Sequence, residues 1–237
     1  MIAVDKPPDM MVHRSLINPR EKQVVMTLLR NQLGQWVYPV HRLDRPTTGV
    51  LLFALDKDTA KHLTESIEKR LVKKTYLAIV RGSISDSGFI DRPLKEATDR
   101  IADKNKNPEK PEQEAKTHFK SLATVEIKEP VSKYPTSRYS LVELQPETGR
   151  RHQLRRHLHH ISHPVIGDTT YGDSKHNRFF RQRFICRGLL LSSVELKFKH
   201  PVHSKAVSIS APVGEDLQKI ATEFSWNSFI VDRWKRF

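Results

Sequence analysis

The greatest capacity for chemistry lies in one short run, His41-Arg42-Leu43-Asp44-Arg45-Pro46-Thr47-Thr48-Gly49. One carboxylate stands there among two arginines and a histidine, just before an apolar Val-Leu-Leu-Phe-Ala-Leu segment. Positive neighbours give such an aspartate its counter-charge, and a carboxylate so placed can serve as nucleophile or base. A lone loop aspartate ordinarily forms surface ion pairs, so context must decide for Asp44. A second run, Gly149-Arg150-Arg151-His152-Gln153-Leu154-Arg155-Arg156-His157, packs four arginines into seven residues. Clustered cations of this kind suit the phosphates of a nucleic acid. Tyr76, in Lys73-Lys74-Thr75-Tyr76, reads from position alone as a core or edge residue of a strand. His159 and His163 have the i, i+4 spacing of a zinc-binding helix, but no His-Glu-x-x-His arrangement accompanies them. No metal is expected, and without a glycine-rich phosphate loop no nucleotide cofactor is expected either.

The nine-residue run resembles, almost letter for letter, the motif of the RluA-type pseudouridine synthases. Thr148–His157 resembles that family's second block. The resemblance implies three catalytic residues. Asp44 matches the catalytic aspartate, and Arg155, following the His-Gln-aliphatic triplet, matches the arginine that pairs with it. Tyr76 matches a tyrosine that stacks on the target uracil and brings a polar tip near the base. His41, Arg42, Arg45, Arg150, Arg151, His152, Gln153 and Arg156 are then expected to bind substrate, with Arg42 filling the space a flipped base vacates. His163-Pro164-Val165-Ile166-Gly167-Asp168 and Tyr171-Gly172 match a further block, read here as structural.

The implied reaction is isomerisation of uridine to pseudouridine in transfer RNA, on a flipped uridine, without cofactor or metal. Whether Asp44 attacks the sugar, attacks the base or initiates glycal formation stays open. The implied fold is α+β: a bent, mixed, mainly antiparallel sheet flanked by helices and loops, with a central cleft. The match runs to about Pro212. Within the family it is closest to a branch that modifies uridine 65 of transfer RNA and carries no S4-type RNA-binding domain. That closer likeness rests on Met11-Val12-His13-Arg14-Ser15, Asp99-Arg100-Ile101-Ala102-Asp103-Lys104 and Tyr134-Pro135-Thr136-Ser137-Arg138-Tyr139. Ribosomal RNA as substrate, and a binding protein that has lost catalysis, are the alternatives. Two departures stand out. Leu191-Ser192-Ser193 replaces the family's Leu-His-Ala, so packing or RNA contacts are expected to differ there. The strand and turn that precede Asp5-Lys6-Pro7 in relatives are missing, implying an upstream start or an incomplete sheet edge.

The rest of the chain agrees with such a partner. It carries 41 Lys+Arg against 27 Asp+Glu, a formal net charge of +14 over 237 residues. That excess favours polyanions through counterion release. Apolar residues make up 37%, with no run near the roughly 18–20 needed to span a membrane and no secretory signal. One cysteine, Cys186, excludes an internal disulfide. A cytoplasmic monomer of one domain in two lobes is expected, with a flexible polar insert over about 84–116.

Several elements must position these residues. Asn18-Pro19-Arg20-Glu21 reads as a helix start, with Val25, Leu28, Leu29 and Gln32 at helical spacing and Gly34 as the stop. Asp58 reads as the cap of a helix with Leu63, Ile67 and Leu71 on one face. Strands are expected at Ile2–Val4, Val37–Val40, Gly49–Leu55, Thr75–Arg81, Thr117–Ile127, Ser137–Leu144, Val194–Lys199 and Ala206–Ser210, with a short one at Phe89–Leu94. A helix over about 150–161 would carry Leu154, Leu158 and Ile161 as its apolar stripe, with Arg151 and Arg155 along one edge. Glu215–Phe224 reads as an amphipathic helix.

Overall fold

The structure, a computed structural model, describes residues 1–13, 23–96 and 111–236. Its frame is a nine-stranded sheet: β1 (Ile2–Lys6), β2 (Tyr38–Pro39), β3 (Thr48–Ala54), β4 (Lys73–Arg81), β5 (Ser87–Asp91), β6 (Lys116–Ile127), β7 (Ser137–Pro146), β8 (Leu191–Lys199) and β9 (Ala206–Ser210). The spatial order is β1-β3-β8-β4-β7-β6-β5, with β2 paired to β3 and β9 to β8. Only the β3–β8 pair is parallel; the others named are antiparallel. Among the described residues, five α-helices accompany it: α1 (Val25–Leu33), α2 (Lys57–Glu68), α3 (Gln153–His160), α4 (Ser174–Arg183) and α5 (Glu215–Glu223).

Alternation along the central strands decides the two faces, because neighbouring side chains point to opposite sides. Leu51 and Phe53 of β3, Ala78 and Val80 of β4, and Val142 and Leu144 of β7 pack on one face with Leu154 and Leu158 of α3. Val50, Leu52 and Ala54 turn to the other face with Leu63 of α2, as Leu77 and Ile79 do with Phe180 of α4 and Leu217 of α5. Each fully buried side chain of this size contributes about 1.5–3 kcal/mol. The β3–β8 contact depends on Gly49, whose φ is +102°. A Cβ there would stand 2.0 Å from the Ser193 carbonyl oxygen, so no other residue permits this approach.

Local expectations are corrected in several places. Helix α1 starts after Val24, which is extended, and ends at Gly34 in the left-handed region; Asn18–Glu21 lie outside the described residues. Asp56, rather than Asp58, caps α2 by accepting a hydrogen bond from the Thr59 amide at 2.7 Å. Leu71 lies beyond that helix and is exposed. Both limbs of the polar insert are tied to the sheet: β5 pairs with β6, and Leu94 and Gln113 exchange backbone hydrogen bonds. Residues 97–110, including Asp99–Lys104, are outside the described residues. Helix α4 was not anticipated at all. Among the described residues, no helix is long and apolar enough to cross a membrane.

Candidate active site

Asp44 sits in a loop clipped in place by main-chain contacts. The Lys6 ammonium, wholly buried, donates to the carbonyls of Pro7, Met10 and Arg45, each at 2.8 Å. Burial pulls its pKa down to about 8, with the nearby charges of Asp9 and Asp44 working against that drop. Arg45 Nε donates back to the Asp9 carbonyl at 2.9 Å, and the Thr47 amide to the Asp44 carbonyl at 3.0 Å. His41 Nε2 accepts from the Leu52 amide of β3. Burial, with help from the Lys74 charge, pushes that ring down to about 4, which suits an acceptor nitrogen. The loop is thereby fixed to two strands before any side chain of Asp44 is considered.

The carboxylate itself meets an arginine at the centre of a buried ion chain. Arg155 Nη1 donates to Asp44 Oδ2 at 3.1 Å. Its Nε and Nη2 grip both oxygens of Asp168, at 2.7 and 2.8 Å. A two-pronged guanidinium–carboxylate contact of this kind fixes orientation as well as charge. Asp168 also accepts from the amides of Thr170 and Tyr171, and the Asn177 amide group of α4 holds its carbonyl. Its carboxyl is buried, which alone would raise its pKa, but these donors hold it below the usual carboxylate range. Exposure falls along the chain: the Asp44 side chain is 25% exposed, Arg155 5% and Asp168 0%. Asp168 therefore anchors, Arg155 transmits, and Asp44 presents a free edge to solvent.

Three rings complete the enclosure. Tyr171 lies 5.3 Å beneath the Arg155 guanidinium, and its hydroxyl meets His152 Nδ1 at 3.2 Å. His152 Nε2 stands 3.9 Å from the second oxygen of Asp44. Burial lowers the pKa of this imidazole, though Asp44 pulls the other way. Tyr76, on β4, is 8% exposed, and its phenol is pushed up to about 12 by burial. The Ser193 hydroxyl opposes that rise and the Asp44 charge adds to it. At neutral pH Tyr76 is an uncharged phenol, a hydrogen-bond donor facing the aspartate's surroundings. The Ser193 hydroxyl, fully buried, has no hydrogen-bond partner of normal geometry. Such a group left unpaired costs about 1–3 kcal/mol.

Known proteins share this arrangement of sequence. The family model described as RNA pseudouridylate synthase matches residues 1–160. The chain belongs to the RNA pseudouridylate synthase family. A tRNA pseudouridine synthase C of Pectobacterium carotovorum subsp. carotovorum is 48% identical over 230 residues, 97% of this chain and 61% of its own length. A protein of the same name from Vibrio parahaemolyticus is 47% identical, covering 97% and 94%. Among solved structures, human RNA pseudouridylate synthase domain containing 1 aligns with a TM-score of 0.66 at 24% identity, over 96% of this chain and 82% of that one. That likeness speaks for the fold.

In this family member the expected site residues divide into three groups. Asp44, Arg155, His152 and Tyr76 converge. Gln153, expected to bind substrate, is buried, and its amide accepts from Thr148 Oγ1 and the Arg150 amide while donating to the Lys116 carbonyl and Thr117 Oγ1. Its hydrogen-bonding capacity is spent on shaping the turn before α3. His41 and Arg45 are likewise engaged with the backbone. His157 is buried between Thr117 Oγ1 and the Arg92 carbonyl. Arg42, Arg150 and Arg151 are exposed, and Arg156 is half-buried; Arg150 Nε donates to the Glu114 carbonyl, and Arg156 Nη1 to that of Lys95.

The helix containing Arg155 is shorter than the sequence suggested. His152 has φ +56°, so Arg150 and Arg151 lie in a turn rather than on α3. Arg151 thus leaves the edge it was expected to share with Arg155. Lys6, Asp168, Tyr171 and Ser193 went unassigned as site residues. A hint existed for Asp168, since it closes the His163–Asp168 block, but its partner lies thirteen residues away.

Proposed function

We propose that this chain isomerises one uridine of transfer RNA, at position 65, to pseudouridine, acting as a cytoplasmic monomer on a flipped nucleotide without metal or cofactor. The observation that carries the reading is the partly exposed Asp44 at the end of the buried Arg155–Asp168 chain, with the neutral Tyr76 phenol beside it. The N1–C1′ bond breaks with its electron pair on the uracil, the ring turns, C5 bonds to C1′, and the proton leaves C5 while N1 takes one up. Asp44 is the catalytic group, acting on sugar or base, and Arg155 aims it. Tyr76 stacks on the uracil. Relatives named tRNA pseudouridine synthase C, at 47–48% identity across nearly the whole chain, support transfer RNA as the substrate.

Unpairing and flipping the base costs a few kcal/mol, which pocket contacts must return. The exposed cations at Arg42, Arg150 and Arg151, with Arg156, suit the flanking phosphates. Base-resolution pseudouridine mapping tests the assignment, using RNA from cells with and without the gene and transcripts incubated with purified protein. A single new signal at position 65 of transfer RNA is expected. A signal confined to ribosomal RNA would transfer the chemistry to another substrate, and none anywhere would leave a binding protein.

A further inference from the structure

Ser193 and Tyr76 face each other across β8 and β4, and the sheet is irregular where they meet. Thr75 pairs with Glu195, but Tyr76 pairs with Ser193, so β8 carries an extra residue. Without that bulge Tyr76 would face Val194, which packs on the opposite face of the sheet. Bulges of this type re-aim a side chain. On its other flank Ser193 adjoins Gly49 of β3, where the strands touch backbone to backbone. The neighbouring Ser192 is fully employed, bonded to Thr48 Oγ1 at 2.8 Å and accepting from the Gly214 amide at 2.9 Å. Ser193, equally buried, has no partner of normal geometry, although the Tyr76 phenol lies near enough to feel its hydroxyl. Folding alone has left this hydroxyl without a well-formed bond beside the phenol of the site.

We propose that Ser193 is a positioning residue: its hydroxyl donates a hydrogen bond to Tyr76 Oη and so turns the phenol proton toward a carbonyl oxygen of the target uracil. The inference rests on the function proposed above. Its direction follows from charge. When the N1–C1′ bond breaks, the electron pair stays on the uracil and spreads to its carbonyl oxygens. A phenol that donates to those oxygens stabilises the departing base, whereas one that donates to Ser193 turns its own lone pairs toward it. Donation by Ser193 also polarises the phenol O–H, since hydrogen bonds in a chain strengthen one another. Donation to Oη favours the ionised phenol, the same sense in which Ser193 already offsets the rise that burial imposes on Tyr76. Because Ser193 itself is enclosed, it acts only through the tyrosine.

Single-turnover rates with enzyme in excess test this for Ser193→Ala, Tyr76→Phe and the double variant, with transfer RNA affinity measured alongside. Ser193→Ala is expected to slow conversion about tenfold, the worth of one net hydrogen bond, at unchanged affinity, and to add nothing in the Tyr76→Phe background. An unchanged rate, or equal losses in both backgrounds, would overturn the proposal. Independently of turnover, 3-fluorotyrosine at position 76 is titrated by 19F NMR in both serine and alanine enzymes. A higher midpoint in Ser193→Ala is expected. An unmoved midpoint overturns the contact even if Tyr76→Phe is too slow to follow. Should the wild-type enzyme make no pseudouridine, the function fails while this titration still reads the contact.

Discussion

The two faces of the sheet are built to different ends, and two tyrosines show it. Tyr139 looks onto the face packed by α4 and α5, where it meets Phe180 at 4.8 Å and Phe224 at 6.1 Å between ring centroids. Its hydroxyl, though buried, has a partner in His176 Nδ1 at 2.9 Å. Tyr76 looks onto the face covered by α3, where the apolar cluster is interrupted by Asp44, Arg155 and Asp168. Its hydroxyl meets an aspartate's charge and a serine that has no hydrogen bond of normal geometry. Burial raises both phenols. What differs is whether the polar end is satisfied. The closed face spends its hydrogen bonds on stability; the open face leaves capacity that a substrate can complete.

If that division is right, substitutions on the open face should remove chemistry and those on the closed face should remove stability. Asp44→Asn is the severest case: no detectable pseudouridine is expected, with RNA affinity and thermal midpoint close to wild type. Turnover above background would end the central role given to this residue. Arg155→Ala should fall nearly as far. Activity within about tenfold of wild type, a 1.4 kcal/mol effect, would mean that the ion pair is idle. This variant should also unfold more easily, because Asp168 is left buried without its counter-charge, a loss of about 3–5 kcal/mol.

On the closed face, Phe180→Ala should cost about 3–5 kcal/mol, lowering the thermal midpoint by about 6–20 °C at 2–4 °C per kcal/mol for a chain of this size. Turnover per folded molecule should not change. A Phe180→Ala enzyme with a normal midpoint and poor turnover would blur the comparison between faces. Asp168 sharpens it, being an open-face residue that also stabilises. Its folded pKa is depressed, so its stabilisation is present above the unfolded value and is lost as pH falls through the folded one. Thermal midpoints of wild type and Asp168→Asn should differ at pH 7 and converge below about pH 4. A gap that persists at acid pH would point to packing instead of charge.

How much of this was legible beforehand depended on how far each feature reaches along the chain. Strands such as β4, β6 and β9 announced themselves because alternation is local. The motif loop around Asp44 was recognisable for the same reason. Helix α4 was overlooked since only His176 and Phe180 of its ten residues are buried, leaving little apolar period to detect. Asp173 capping His176 and Lys175 was the available clue. Gln153 looked like a contact for RNA, because nothing in the linear sequence shows that four partners from 116, 117, 148 and 150 already surround it. The work of Asp168 and Lys6 was hidden likewise, since each serves a residue that only the fold brings near. The β8 bulge, on which the Tyr76–Ser193 alignment depends, shifts register without any turn residue to mark it.

The smallest expected effect separates surface from pocket. Arg151 lies exposed in the turn before α3, so a contact it makes to RNA phosphate displaces condensed counterions. Losing one such contact should shallow the slope of log affinity against log salt by about 0.7–0.9, weakening binding to all RNAs alike. Tyr76 is almost enclosed and carries no charge at neutral pH. Stacking on uracil releases no counterions, so Tyr76→Leu should leave the slope unchanged while turnover collapses. The measurement is transfer RNA affinity across a salt series for Arg151→Ala and Tyr76→Leu, with pseudouridine formation followed in parallel. A Tyr76 variant with a shallower slope and normal turnover would put that ring on the RNA backbone. An Arg151 variant with an unaltered slope would take its guanidinium off the phosphates, leaving the affinity to Arg42, Arg150 and Arg156.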